Sequence, residues 1–304
     1  MKQTYTVAGN TFTISISAEN HAWQRLSRRF RPFASADSAS AILEIEISTA
    51  PLPAYEAEKI YQPEHTGIGF IAASASQLAD GSFLMEFIHT EEDKPRISLK
   101  MSAAFDRADI VMASDGDEKD PYFLTHALML AYMISTLHTG TLLIHSSSVI
   151  CDGKAYLFQG KSGTGKSTHA ALWIDTIPGA ELLNDDNPVI RISPEGVPKA
   201  YGSPWSGKTH CYRNVAAPIG AFVRIVRADH NELCRLDPLR AYASLTTSIF
   251  SLPFLPASLR DIRHDTLERI VTHTGCYEMH CLPESAAAIV CHSSLSPQSP
   301  CSPH

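Results

Sequence analysis

Eight consecutive residues, Gly160-Lys161-Ser162-Gly163-Thr164-Gly165-Lys166-Ser167, match the spacing G-x4-G-K-[ST] without a mismatch. The chemistry this pattern serves is the grip on a nucleoside triphosphate. Glycines let successive backbone N–H groups curl round a phosphate with no Cβ in the way. Lys166 supplies a point charge for the β- and γ-phosphates, and the Ser167 hydroxyl is a magnesium ligand. Thr168 continues the chain into a helix whose N-terminal dipole adds to the anion site. A glycine-rich turn with no ligand accounts poorly for two lysines and several hydroxyls in so short a run. A second cluster, Asn184-Asp185-Asp186, follows 19 residues after Lys166 when counted to Asp185. Adjacent acids beside a phosphate site divide naturally into one near the metal and one free to take a proton. Like charges this close raise one pKa, which favours proton abstraction from a hydroxyl. The competing reading is a capping turn ahead of Asn187-Pro188.

The elements that must position these groups are legible around them. Residues 155–158 (Ala-Tyr-Leu-Phe) read as an apolar strand running into the loop, and 168–174 as the helix leaving it. Segments 147–151 and 154–158 flank Asp152-Gly153, a pair suited to the positive φ angles of a tight hairpin turn. A short helix, the Pro178-Gly179 turn and a strand over 180–183 use up the chain between Lys166 and Asp185. The two carboxylates therefore end the strand that follows the loop's own helix. Upstream, Asp120 can cap a helix, Pro121 fits its first turn and Gly140 stands beyond its end. Leu124, Ala127, Leu128, Ala131, Ile134 and Leu137 give that helix one buried face. Downstream, the pattern predicts a strand over 221–226, helices over 237–247 and 258–271, and a strand over 276–282. Residues 1 to about 100 alternate apolar and polar positions in short runs, which predicts half-buried antiparallel strands separated by loops such as 50–63. The polar run 114–120 marks a boundary. The expected organisation is a β-rich domain over 1–115, a P-loop domain over 120–290 and a disordered tail over 291–304.

Taken together, His145, the Asp152-Gly153 region, the loop 160–167 and Asp185-Asp186 resemble the catalytic domain of bacterial HPr kinase/phosphorylase. The same core is similar to the nucleotide site of phosphoenolpyruvate carboxykinase. The resemblance covers roughly residues 141–193. It implies an α/β (α+β) fold with a mixed, largely antiparallel core. It implies ATP and Mg2+ as cofactors, with Lys166 and the loop amides on the phosphates. Ser167 would hold magnesium, with one of Asp185 and Asp186 as general base and the other, provisionally Asp186, on the metal. His145 would support them, although its residue type alone fits a satisfied core histidine as well. Thr168 stands where HPr kinases usually carry Glu, and their downstream Arg-Gly-Leu-Gly signature is missing. Residues 201–209 (Tyr-Gly-Ser-Pro-Trp-Ser-Gly-Lys-Thr) resemble instead a Gly-x-Pro-Trp-x-Gly stretch of HPr-kinase-related proteins with other substrates. There Lys208, with Arg213, is a candidate for phosphate or substrate contact, and Trp205 either walls a pocket or packs in the core. The implied activity is transfer of the γ-phosphoryl group to a hydroxyl of a small molecule, a peptide or a protein serine. A nucleotide-binding regulator without transfer and a pyrophosphate-linked phosphorylase stay open as alternatives. Members of the resembled family commonly form homo-oligomers, so oligomeric assembly is implied too.

Composition sets limits on all of this. The 304 residues carry 25 Lys+Arg and 32 Asp+Glu, a formal charge of -7. Residues 1–140 hold 11 basic and 18 acidic side chains, whereas 141–304 hold 14 of each. Neither half is net basic, so no nucleic-acid partner is expected. The polar opening Met-Lys-Gln-Thr-Tyr-Thr and the lack of a long apolar run predict a cytoplasmic protein with no membrane partner. The acidic half favours an uncharged or basic acceptor. Seven cysteines at irregular spacings fit reduced thiols. Histidines 273, 280, 292 and 304 accompany the last four, but no Cys-x2-4-Cys pair suggests a zinc knuckle there.

Overall fold

The computed structural model describes residues 1–61, 71–250 and 252–295, without the side chains of 71–73. The chain divides into two compact units, Met1–Thr139 with Ser251–Arg260, and Gly140–Phe250 with Asp261–His304.

In the first unit, β1 (Lys2–Val7) and β2 (Asn10–Ser15) pair through a turn at Ala8 and Gly9, both at positive φ. Helix α1 (His21–Phe30) follows, capped by Asn20, whose side chain accepts from the Trp23 N–H at 2.8 Å. Then come β3 (Ala41–Ser48), β4 (Ala57–Tyr61), β5 (Ile71–Leu78), β6 (Phe83–His89), β7 (Pro95–Met101), β8 (Arg107–Met112) and α2 (Asp120–Thr136). The sheet runs β1-β2-β3-β8-β7-β6-β5-β4. Strict alternation is visible in β6, where Phe83, Met85, Phe87 and His89 are buried and the residues between them half-buried. Two pairings, β2–β3 and β3–β8, are parallel rather than antiparallel. Alternation reports a half-buried face and not strand direction, and the α1 crossover is what lets β3 return alongside β2. Strand β4 falls inside 50–63, a stretch whose composition reads as loop.

Helix α2 forms where the sequence places it but belongs to this first unit, so the unit boundary follows Thr139 and not the 114–120 loop. It packs on β3, β7 and β8. Tyr132 donates to the Val7 carbonyl at 3.0 Å, and Arg96 reaches Asp120 at 3.4 Å. A helix this apolar must bury several faces, and the unit-1 sheet offers the surface.

The second unit contains β9 (Thr141–Leu143), β10 (Ser147–Cys151), β11 (Lys154–Gln159), α3 (Lys166–Thr176), β12 (Glu181–Asn184), β13 (Val189–Ile192), β14 (Pro198–Tyr201), β15 (Ala216–Arg227), β16 (Glu232–Arg235), α4 (Pro238–Thr246), most of α5 (Ala257–His273), β17 (Gly275–Cys281) and α6 (Ser285–Leu295). Its sheet runs β12-β10-β11-β15-β14-β13-β9, with β17 also on β15 and β16 on β17. Only β11–β15 and β15–β17 are parallel among the described pairings of this second sheet, so its core is mixed and largely antiparallel, an α+β architecture. Asp152 (φ 50°) and Gly153 (φ 72°) turn the β10–β11 hairpin with both central residues left-handed. Val149, Phe158, Trp173, Val223, Met279, Ala287 and Cys291 meet in the core. Cys291 is fully buried within α6, so the chain stays ordered through Leu295 rather than dissolving at 291. Small residues at 286–288 let the helix approach closely, and Ile289, Val290 and Cys291 prolong its apolar character. The rest of the expected tail lies outside the described residues. No described helix is long and apolar enough to cross a membrane.

Candidate functional site

Strands β11 and β12 both pair antiparallel with β10, so they run the same way and end on the same edge. Gly160 follows one and Asp185 the other. The topology thus brings the loop and the paired carboxylates together, although 24 residues separate Gly160 from Asn184.

The loop has the backbone its glycines permit: Gly160, Gly163 and Gly165 have φ of 145°, 79° and 113°. A Cβ on Gly160 would stand 2.6 Å from the Thr164 hydroxyl, which instead donates to the Lys161 carbonyl at 2.8 Å. Positions above Gly163 and Gly165 are open, with no atom within 4 Å of where a Cβ would stand. Lys161 and Ser162 are exposed, as are Ser167 and Thr168 in the first turn of α3. Lys166 is buried, and its ammonium donates to the carbonyls of Gly160 (3.0 Å) and Lys161 (3.3 Å). Burial lowers its pKa, while the charges of Asp186 and Asp185 pull the other way. Behind the loop, Arg227 at the end of β15 donates to the carbonyls of Gly163 and Thr164. That arginine has no sequence signal: the parallel β11–β15 pairing alone carries it to the loop.

The two aspartates differ sharply in exposure. Asp185 is 7% exposed, and accepts from the Ser147 hydroxyl (3.2 Å) and the Thr209 N–H (3.2 Å). The Asp186 side chain is 34% exposed; one oxygen lies 3.0 Å from His145 Nδ1 and the other accepts from Asn187 at 2.8 Å. Asn184 braces the turn, its side-chain oxygen accepting from the N–H groups of Asp186 and Asn187. Its amide donates to the Ser203 hydroxyl, which in turn donates to the Asn187 carbonyl at 2.6 Å. Asn184 belongs to the cluster the sequence marks, whereas Ser147 and Ser203 are supports that residue type alone does not reveal.

The Gly-x-Pro-Trp-x-Gly stretch lies against this turn. Gly202 sits where a Cβ would be 1.9 Å from the Arg213 carbonyl oxygen, and a Cβ on Gly207 would be 3.1 Å from Asp186 Cβ and 3.4 Å from an Asp185 carboxylate oxygen. Both glycines are therefore positions of close approach. Trp205 is buried at 2% exposure and packs as core rather than as an open stacking platform. Lys208 is exposed one residue beyond Gly207. Arg213 is held by the Glu181 carboxylate and the Leu182 carbonyl, each at 2.6 Å, along β12 rather than at the carboxylate turn.

The donors suit magnesium triphosphate. Ser167 and two carboxylates are hard oxygen ligands, and the open space above Gly163 and Gly165 leaves backbone amides accessible. Beside the acidic turn, the Ser146 hydroxyl and the Asn187 side-chain oxygen are buried without a hydrogen-bond partner among the described residues. Polar capacity remains there for a ligand or water.

No protein-family model matches the chain, and no curated protein does. Among solved structures, it shows a likeness to the Hpr(Ser) kinase/phosphatase from Coxiella burnetii. The TM-score is 0.30 at 10% identity, over 50% of this chain and 95% of that one. A likeness of this size carries no weight in the argument about the site, which rests on the geometry.

Proposed function

We propose that the protein is an ATP- and magnesium-dependent phosphotransferase that moves the γ-phosphoryl group to a hydroxyl on a small molecule, a peptide or a protein serine. The observation that carries this reading is the placement of a part-exposed carboxylate, Asp186, at the same sheet edge as the 160–167 glycine loop, whose Lys166 lies near both aspartates. A protein that only held nucleotide would have no use for a base there.

On nucleotide arrival, Lys166 exchanges the Gly160 and Lys161 carbonyls for phosphate oxygens, so its positive charge moves onto developing negative charge. The open loop amides fix the phosphates, and Arg227 holds the loop from behind. Magnesium, when bound, neutralises charge on the β- and γ-phosphate oxygens. Exposure divides the carboxylates. Asp186, which an incoming hydroxyl can reach, takes the proton, and His145 fixes its orientation. Asp185 is held by Ser147 and Thr209 but keeps a second lone pair on each oxygen, and it is the carboxylate that would join Ser167 in holding the metal. This exchanges the provisional roles that the resemblance gave the two residues.

The test is a set of variants assayed for MgATP binding and for transfer of labelled γ-phosphate to serine-bearing peptides and metabolites. Lys166→Ala should weaken MgATP by about tenfold to a hundredfold, the usual cost of losing a hydrogen bond to a charged group. Asp186→Asn should keep nucleotide affinity and lower turnover by roughly 10²- to 10⁴-fold. Unchanged affinity in Lys166→Ala defeats the nucleotide assignment. Normal binding with no transfer to any acceptor makes the protein a nucleotide-binding regulator.

A further inference from the structure

The β10–β11 turn, away from the carboxylate edge, gathers a second set of ligating atoms. Cys151 ends β10 and Asp152 begins the turn. His292, 140 residues beyond Asp152, comes from α6. Its Nε2 is 3.2 Å from an Asp152 carboxylate oxygen and 3.9 Å from Cys151 Sγ, and the three ligating atoms all lie within 4.8 Å of one another. Tetrahedral zinc with ordinary bond lengths requires about 3.4 Å between nitrogen and oxygen ligands and about 3.6 Å between sulfur and nitrogen. The two spacings to His292 differ from these by a few tenths of an ångström, and the sulfur and the carboxylate oxygen, within 4.8 Å of each other, close onto one ion by a side-chain adjustment at the exposed Asp152.

We propose that Cys151, Asp152 and His292 form a site for a borderline divalent cation of the zinc class, with its fourth position taken by solvent. One thiolate, one imidazole and one carboxylate are the donor types such an ion selects, and magnesium does not favour sulfur. The arrangement also provides a path and a frame. Asp152 is exposed at the turn and admits the ion from solvent, while Cys151 is buried beneath it. The His292 ring meets Trp173 edge-on at 5.3 Å, which limits its rotation. On binding, Cys151 releases its thiol proton to water and His292 binds as the neutral imidazole. The ion would tie α6 to the hairpin that leads into the phosphate loop. The site does not depend on the proposed transfer activity.

Cobalt(II) titrated into the full-length reduced protein tests this directly. The expected result is one cobalt per chain, with a near-ultraviolet thiolate-to-metal band and intense visible bands of tetrahedral coordination, displaced by one equivalent of zinc and not by millimolar magnesium. Cys151→Ser should abolish the thiolate band, and His292→Ala the tetrahedral bands, while Cys234→Ser leaves both unchanged. Asp152→Asn, at an exposed turn, keeps the fold and should weaken cobalt binding even if Cys151→Ser fails to fold. No thiolate band with the wild-type chain, or the same spectrum and affinity in Asp152→Asn and His292→Ala, overturns the proposal and leaves the trio a hydrogen-bonded clamp.

Discussion

His169 shows how a single side chain can set the acid limit of this unit. It lies three residues into α3 beyond Lys166, 2% exposed, with its ring edge-on to Phe158 at 4.8 Å. Trp173 donates its indole N–H to Nε2 at 3.2 Å, so that nitrogen is unprotonated and the ring is neutral. The other nitrogen is buried without a hydrogen-bond partner among the described residues. Burial pushes the pKa down from 6.5 to about 4. The folded state therefore resists a proton that the unfolded chain accepts. Above pH 6.5 neither state is protonated and the residue adds no pH dependence. Between 6.5 and about 4 the unfolded state alone gains a proton, and stability falls as pH falls, by on the order of 3 kcal/mol across the window. Below about 4 both states are protonated and this contribution levels off. Chemical denaturation from pH 7.5 to 4 should show the slope in the native protein and a shallower one in His169→Gln. Equal slopes would assign the acid sensitivity to other groups.

Among the elements, the 202–209 stretch depends most on shape. Ser203 stitches it to Asn184 and Asn187, Trp205 anchors it in the core, and Gly207 brings its backbone beside both aspartates. Gly207→Ala should lower the unfolding midpoint only slightly, because Asp186 Cβ, 3.1 Å from the new methyl, has to give by a few tenths of an ångström and not by more. The same methyl displaces the carboxylates and should lower kcat about tenfold or more with little change in KM for ATP, since sub-ångström misplacement of a reacting group is costly. Gly202→Ala should instead destabilise the fold, because its Cβ would lie 1.9 Å from a backbone oxygen. A thermal melt beside a transfer assay separates the two. The motif's glycines and tryptophan are plain in the sequence, but neither their partners nor their purposes are. Regular spacing does reveal α2, α3 and the β10–β11 hairpin, because each is decided by local periodicity or turn chemistry. Helix α1 is equally legible: Trp23, Leu26 and Phe30 recur at helical spacing among polar residues after the Asn20 cap, but it falls within a stretch whose short alternating runs suggest strands throughout. Arg227 and His292 escape for a different reason. Their positions follow from strand and helix packing across tens of residues, and no local pattern records it.

At the scale of the whole molecule, chemistry and charge are divided. Every residue assigned to the phosphate loop, the carboxylate turn and the proposed cation site lies in the second unit, which interrupted segments of chain assemble. The first unit contributes an eight-stranded sheet and α2, and it carries the acidic excess that the sequence already places before residue 141. The polar loop ahead of α2 suggests a boundary there; burial against β3, β7 and β8 puts the helix with the first unit instead. The division has a measurable consequence. A ligand protects amides where it closes the openings that expose them, so binding should register only in elements that touch it or brace those that do. Saturating MgATP should slow hydrogen exchange over 160–168, 184–187 and 203–210, together with the end of β15 at Arg227. The strands of the first unit should exchange at the same rate with and without nucleotide. If protection instead extends into β6, β7 and α2, the first unit takes part in nucleotide binding and the second is not the whole of the site.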